Sequence, residues 1–150
     1  MQIKSLIIPD VIRVPLRAED RLGAIRELIE MLGEHGAVSD VEAAIKTTWE
    51  REQERTTGIG EGLAVPHGRC TCIDQLVLAI GRPATPIDFQ SFDQKPVRLV
   101  VLVLSPPDDT ASHIQVLGGI SRMLSERLTR EAAFAAETAA ELAAVLQGKG

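Results

Sequence analysis

A chain of 150 residues with 45% hydrophobic content can bury one substantial core, and it reads as one domain over residues 1–150. A net charge of −5 and only 3% aromatic residues exclude a nucleic-acid binder, which needs a basic face and stacking rings. The longest apolar run, Leu99 to Leu104, is too short for direct membrane insertion, and Met1 to Asp10 lacks the apolar length of a signal peptide, so the expected location is cytoplasmic.

Taken in chain order, Val11 to Leu16 alternates apolar and polar residues and predicts a strand. Leu22, Ile25, Leu28, Ile29 and Leu32 recur at helical spacing and predict a helix ending near Gly36, with His35 on the surface at its end. Ser39-Asp40-Val41-Glu42 has the form of a capping box opening a second helix. Val41, Ala44, Ile45 and Trp49 would face inward there, and the helix would run out around Arg51 and Glu52. A glycine-rich run from Thr57 to Arg69 follows, in which Leu63-Ala64-Val65 reads as a buried strand end stopped by Pro66. Cys70 and Cys72 come next; a disulfide across one residue would be strained, so reduced thiols are expected.

Leu76 to Ile80 predicts another strand, and Pro83 to Pro86 breaks the chain. Val97 to Leu104 is continuous and β-branched, the pattern of a central strand covered on both faces. After a loop at Ser105 to Asp109, Ala111 to Leu128 predicts a helix with Ile114, Leu117, Ile120, Leu124 and Leu128 on one face. Thr138 caps a last helix that ends at Gly148. Strands alternating with helices give an α/β domain with a mixed sheet between helix layers.

The chemistry concentrates at His67, which stands just after Pro66 with Gly68 beside it and Gly58, Gly60 and Gly62 upstream. A neutral imidazole is a competent nucleophile near pH 7, and the glycines would let backbone N–H groups approach an anion it holds. This points to covalent phosphorylation of His67. The zinc alternative uses His67, Cys70, Cys72 and His113 as a four-ligand set. A third alternative is a regulatory module that binds partners without carrying phosphate.

Arg51-Glu52 followed after four residues by Thr57-Gly58-Ile59-Gly60, then Ala64-Val65-Pro66-His67-Gly68, resembles the enzyme IIA domains of the fructose/mannitol class of the bacterial phosphoenolpyruvate-dependent phosphotransferase system. Pro86-Ile87-Asp88-Phe89, Asp93, the strand from Val97 and His113 extend the likeness, which is strongest toward the nitrogen-regulatory branch. The resemblance implies a five-stranded mixed sheet flanked by helices on both sides. It implies that His67 takes a phosphoryl group on Nε2 from a histidine-containing phosphocarrier protein. The group then passes to a cysteine of a IIB domain or serves as a signal to regulatory targets. His113 and Arg51 would stabilise phosphoryl charge, with Thr57, Gly58 and Gly60 binding phosphate; no cofactor and no metal is required.

Overall fold

The computed structural model describes residues 3–148. Two short 3-10 turns, Ile3–Leu6 and Pro9–Val11, lead into β1 (Ile12–Leu16), then α1 (Arg21–Glu34) and α2 (Val41–Glu54). Three very short strands follow, β2 (Gly58–Gly60), β3 (Leu63–Ala64) and β4 (His67–Arg69), then the two long ones, β5 (Val77–Pro83) and β6 (Leu99–Ser105). Helices α3 (Thr110–Met123), α4 (Arg127–Ala135) and α5 (Ala139–Leu146) complete the described chain.

The sheet is mixed, in the order β1-β5-β6-β3-β2, with β4 joining as a sixth strand beside β6. Pairs β1–β5, β3–β6 and β4–β6 are parallel, whereas β5–β6 and β2–β3 are antiparallel. The five-stranded sheet that the resemblance implies is therefore the main path, with one strand added. All seven residues of β6 are buried because its alternate side chains feed two cores. Val100, Leu102 and Leu104 pack with Leu28, Ile29 and Ile45 of α1 and α2. Leu99, Val101 and Val103 pack with Ile120 of α3 and Leu142 and Leu146 of α5. Helices thus cover both faces, as expected for an α/β layer architecture.

Pro66 interrupts a strand rather than ending it. β3 pairs with Leu99 and Val100 near the start of β6, whereas β4 pairs with Val103, Leu104 and Ser105 at its end. Proline has no N–H, but its carbonyl still accepts a hydrogen bond from Val103 at 3.0 Å, which keeps the chain against β6 across the gap.

Several boundaries differ from the sequence pattern for identifiable reasons. Asp40, not Ser39, caps α2 by accepting from the Ala43 amide at 3.1 Å; the Ser39 hydroxyl donates instead to the Cys72 carbonyl at 3.1 Å. The helix runs on to Glu54, with Glu52 buried in its last turn. The helix expected over Ala111–Leu128 is two helices. Arg130 donates to the Leu124 and Ser125 carbonyls at 3.1 and 2.9 Å, capping the break between α3 and α4. The inward face of α3 is His113, Val116, Ile120 and Leu124, leaving Ile114 and Leu128 exposed. Cys70 and Cys72 form a disulfide rather than free thiols; their Cα atoms stand 5.2 Å apart, within the normal span.

Candidate functional site

His67 opens β4, whose ladder to β6 places the residue beside the C-terminal end of the central strand. The ring is half-buried, and its Nδ1 lies 2.9 Å from the Val65 carbonyl. A carbonyl oxygen can only accept, so Nδ1 carries the proton and, in the neutral ring, the lone pair belongs to Nε2. A backbone atom two residues away thus sets which ring nitrogen keeps its lone pair. Burial pushes the His67 pKa below its ordinary value of 6.5, helped by the Arg51 and Arg69 charges, while the Val65 bond and the Glu52 carboxylate oppose the shift. The ring is therefore neutral and nucleophilic at pH 7.

His113 sits in the first turns of α3, behind the Asp109 cap, and is buried. Its ring lies edge-on to His67, with centroids 5.3 Å apart and planes at 65°. Its Nδ1 is 2.7 Å from the Ser105 hydroxyl, at the last residue of β6. Burial first, then the neighbouring His67 and Arg69, push its pKa down to about 4. Two adjacent imidazoles cannot both charge cheaply, so this pair is neutral near pH 7.

An open cleft of about 580 Å³ runs in front of His67, lined among others by Arg51, Ile59, Phe92 and Leu117. Arg51, in the last turn of α2, donates to the Arg55 carbonyl at 3.0 Å while facing this cleft. Phe92 is 98% exposed at its rim, and Ile59 also stands out. The cleft therefore combines a nucleophilic nitrogen, a guanidinium and an apolar margin. That set suits a phosphoryl group delivered by another protein.

Within the glycine-rich run, the hydrogen-bond donors serve the protein itself. Thr57 and Gly58 line the cleft, but their donors are already used. The Thr57 amide donates to Glu52 at 2.8 Å and its hydroxyl to the same carboxylate at 2.5 Å, whereas the Gly58 amide donates to the Thr56 hydroxyl at 3.0 Å. Gly60 lies outside the cleft, in the turn Gly60-Glu61-Gly62, whose residues all have positive φ (93°, 57° and 82°). Asp93 holds that turn by accepting from the Glu61 amide at 2.8 Å. That bond, with a second from the Lys95 amide, holds the Asp93 carboxyl below its usual range. Gly68 admits a helix rather than a ligand, since a Cβ there would come within 2.6 Å of the Thr48 hydroxyl on α2. The structure thus brings together His67, His113 and Arg51, and does not bring Gly60 to them.

Three contributors escaped the sequence reading. Arg69, two residues along β4, shares the His67 side of the strand and donates to the Thr110 hydroxyl of α3 at 3.0 Å. A period-two reading past Pro66 would have found it. Ser105 carried no local signal and looked like a loop residue; Glu52 stood in the motif beside Arg51, but nothing local marked its burial or its bonds to Thr57. Of the zinc alternative's ligands, the two cysteines are bonded to each other and offer no thiolates.

A phosphoryl carrier built on a mixed α/β sheet is what this arrangement defines. The chain belongs to the family described as phosphoenolpyruvate-dependent sugar phosphotransferase system, EIIA 2, whose family model matches residues 5–149. It is 36% identical over 116 residues to the fructose-specific EIIA component of Haloferax volcanii, covering 77% of this chain and 75% of that protein. It is 32% identical over 127 residues to a nitrogen regulatory protein of Bradyrhizobium diazoefficiens, covering 85% and 82% respectively. The structure superposes on the nitrogen regulatory protein IIA-Ntr from Neisseria meningitidis with a TM-score of 0.87 at 27% identity, covering 96% of this chain and 98% of that one. The chain is accordingly a phosphotransferase-system component with a phosphocarrier or regulatory role. Among the described residues, no helix is long and apolar enough to cross a membrane.

Proposed function

We propose that His67 is the residue that carries the phosphoryl group, bonded through Nε2. The observation that carries this reading is the bond from Nδ1–H to the Val65 carbonyl, which leaves the Nε2 lone pair as the nucleophile beside Arg51. In the transfer, that lone pair attacks phosphorus as the nitrogen–phosphorus bond of a donor phosphohistidine breaks. The bonding pair returns to the donor nitrogen, and the Nδ1 proton stays on His67, whose ring becomes cationic while phosphorylated. Arg51 and the Nε2–H of His113 balance the charge on the phosphoryl oxygens.

The donor in this reading is a histidine-containing phosphocarrier protein docking on the rim formed by Phe92, Ile59 and Leu117. Leu63 and Phe89, close by in sequence, are buried and take no part in that surface. A net charge of −5 favours a donor with basic groups around its apolar patch. The recipient is a IIB cysteine or a regulatory target in the cytoplasm, and the whole of residues 1–150 acts as one carrier domain. The test is incubation with phosphoenolpyruvate, the general phosphotransfer enzyme and the phosphocarrier, followed by intact mass. Wild type gains one phosphoryl group and His67→Ala gains none. A His67→Ala protein that still gains the group overturns the assignment. A wild-type protein that gains none supports the binding module that carries no phosphate.

A further inference from the structure

Glu52 is 1% exposed, a rare condition for a carboxylate and one that demands compensation. Its partners are specific. Both oxygens accept from Thr57, one from the amide and one from the hydroxyl, and the Arg21 guanidinium lies 3.8 Å away at the start of α1. Thr57 in turn accepts, on its carbonyl, the amide of Val65 at 3.0 Å. Val65 then accepts the Nδ1 proton of His67. One unbroken path of hydrogen bonds joins the buried carboxylate to the ring: Glu52 to Thr57, Thr57 to Val65, Val65 to His67.

We propose that Glu52 is a positioning residue for His67, fixing through Thr57 and Val65 the carbonyl that selects the reactive nitrogen, and supplying a buried negative charge to a ring that turns positive when phosphorylated. This rests on His67 being the carrier residue. Geometry supports the first half. The Val65 carbonyl must point at Nδ1; the β6 ladder holds the chain on one side of Val65, through Ala64 and the Pro66 carbonyl, and Thr57 holds the Val65 amide. Charge supports the second half. Nucleophilic attack through Nε2 leaves a cationic ring with its proton still on Nδ1, and a water-excluded carboxylate connected to that ring favours the product. Arg51 and Glu52 are adjacent on α2 and have divided roles: the guanidinium faces the cleft and the phosphoryl oxygens, and the carboxylate faces the protein and the peptide that holds the ring.

Two variants separate the two halves. Glu52→Gln keeps an acceptor for the Thr57 amide and a donor for its hydroxyl, but has no charge. It should retain the Nδ1–H tautomer, read by long-range proton–nitrogen correlation on histidine-labelled protein, while phosphoryl acceptance slows by about tenfold. Glu52→Ala removes both acceptors. It should also raise the Nε2–H to Nδ1–H tautomer ratio by about fivefold, the scale of one misaligned hydrogen bond. A folded Glu52→Ala with the wild-type tautomer and rate overturns the proposal, and so does a wild-type rate in Glu52→Gln, which decides the matter even where Glu52→Ala fails to fold. The tautomer is read without any phosphotransfer. A His67→Ala protein that still accepts phosphate therefore defeats the carrier assignment separately from this one.

Discussion

The two imidazoles of the site stand 5.3 Å apart and are held by opposite kinds of partner. His67, on a three-residue strand at the sheet margin, bonds a backbone carbonyl, which can only accept. His113, on a helix packed over the sheet, bonds the Ser105 hydroxyl, which can donate or accept. The first arrangement fixes one tautomer. The second is compatible with either tautomer: when the Ser105 hydroxyl donates to Nδ1, His113 presents Nε2–H, the form that would stabilise a phosphoryl oxygen in the proposed transfer. In the proposed role, His67 would be a nucleophile of fixed tautomer and His113 a neighbour whose proton can sit on either nitrogen.

The comparison can be broken most severely at His67. Its replacement by Gln, which has no ring nucleophile, is expected to abolish phosphoryl acceptance altogether in the intact-mass assay. Removing a charge-balancing neighbour should slow transfer without abolishing it. His113→Ala and Arg51→Ala are each expected to lose about 10- to 1000-fold in rate, measured by quenched-flow transfer from the phosphocarrier. Wild-type rates in both would reduce these residues to a buried helix histidine and a helix-end cap.

Ser105→Ala sharpens the contrast at lower cost. It leaves His113 Nδ1 without its hydroxyl partner, so the rate should fall by about 3- to 10-fold, the equivalent of one ordinary hydrogen bond. The His67 tautomer should not change, because its own carbonyl is untouched.

The last effect is on stability rather than on rate. His113 has a folded pKa of about 4, below its ordinary 6.5, so between these values the unfolded chain binds the proton and the native protein does not. Stability should therefore fall as pH drops from 6.5 toward 4, by up to about 1.4 kcal/mol per pH unit from this group. His67, shifted the same way, adds to the slope. Urea titrations at pH 7 and pH 5 should show that difference, and His113→Asn should flatten it. Transfer by His67 should persist below pH 6.5 for the same reason, since its reactive neutral form survives there.

Legibility tracked the range of the interactions involved. The helices α1, α2 and α5 and the central strand were readable because hydrophobic periodicity is a local property that needs no partner. As candidates, His67, His113 and Arg51 were readable from a motif whose residues carry distinctive chemistry, and the structure places His113 and Arg51 near His67. Leu63 and Ala64 of β3 were readable as an apolar strand end, but β2 and β4 were not: three residues make no period, and β4 exists because β6 offers it an edge, β2 because β3 does. The break between α3 and α4 was hidden because it depends on Arg130 reaching back to the Leu124 and Ser125 carbonyls. The inward turn of α3 shifted by one residue because His113, not Ile114, faces Ser105.

By itself, the order of residues determined an aliphatic α/β core, a candidate nucleophile in the histidine after a proline and the family likeness around it, since these follow from side-chain chemistry and short spacings. Only the tertiary structure decided which ring nitrogen holds the proton, why Glu52 is buried, that Gly68 makes room for Thr48, and that Ser105 meets His113. Gly68 with Thr48 and Ser105 with His113 are contacts between elements brought together by packing, and the Val65–His67 and Glu52–Thr57 bonds, though close in sequence, depend on the backbone path that the sheet imposes.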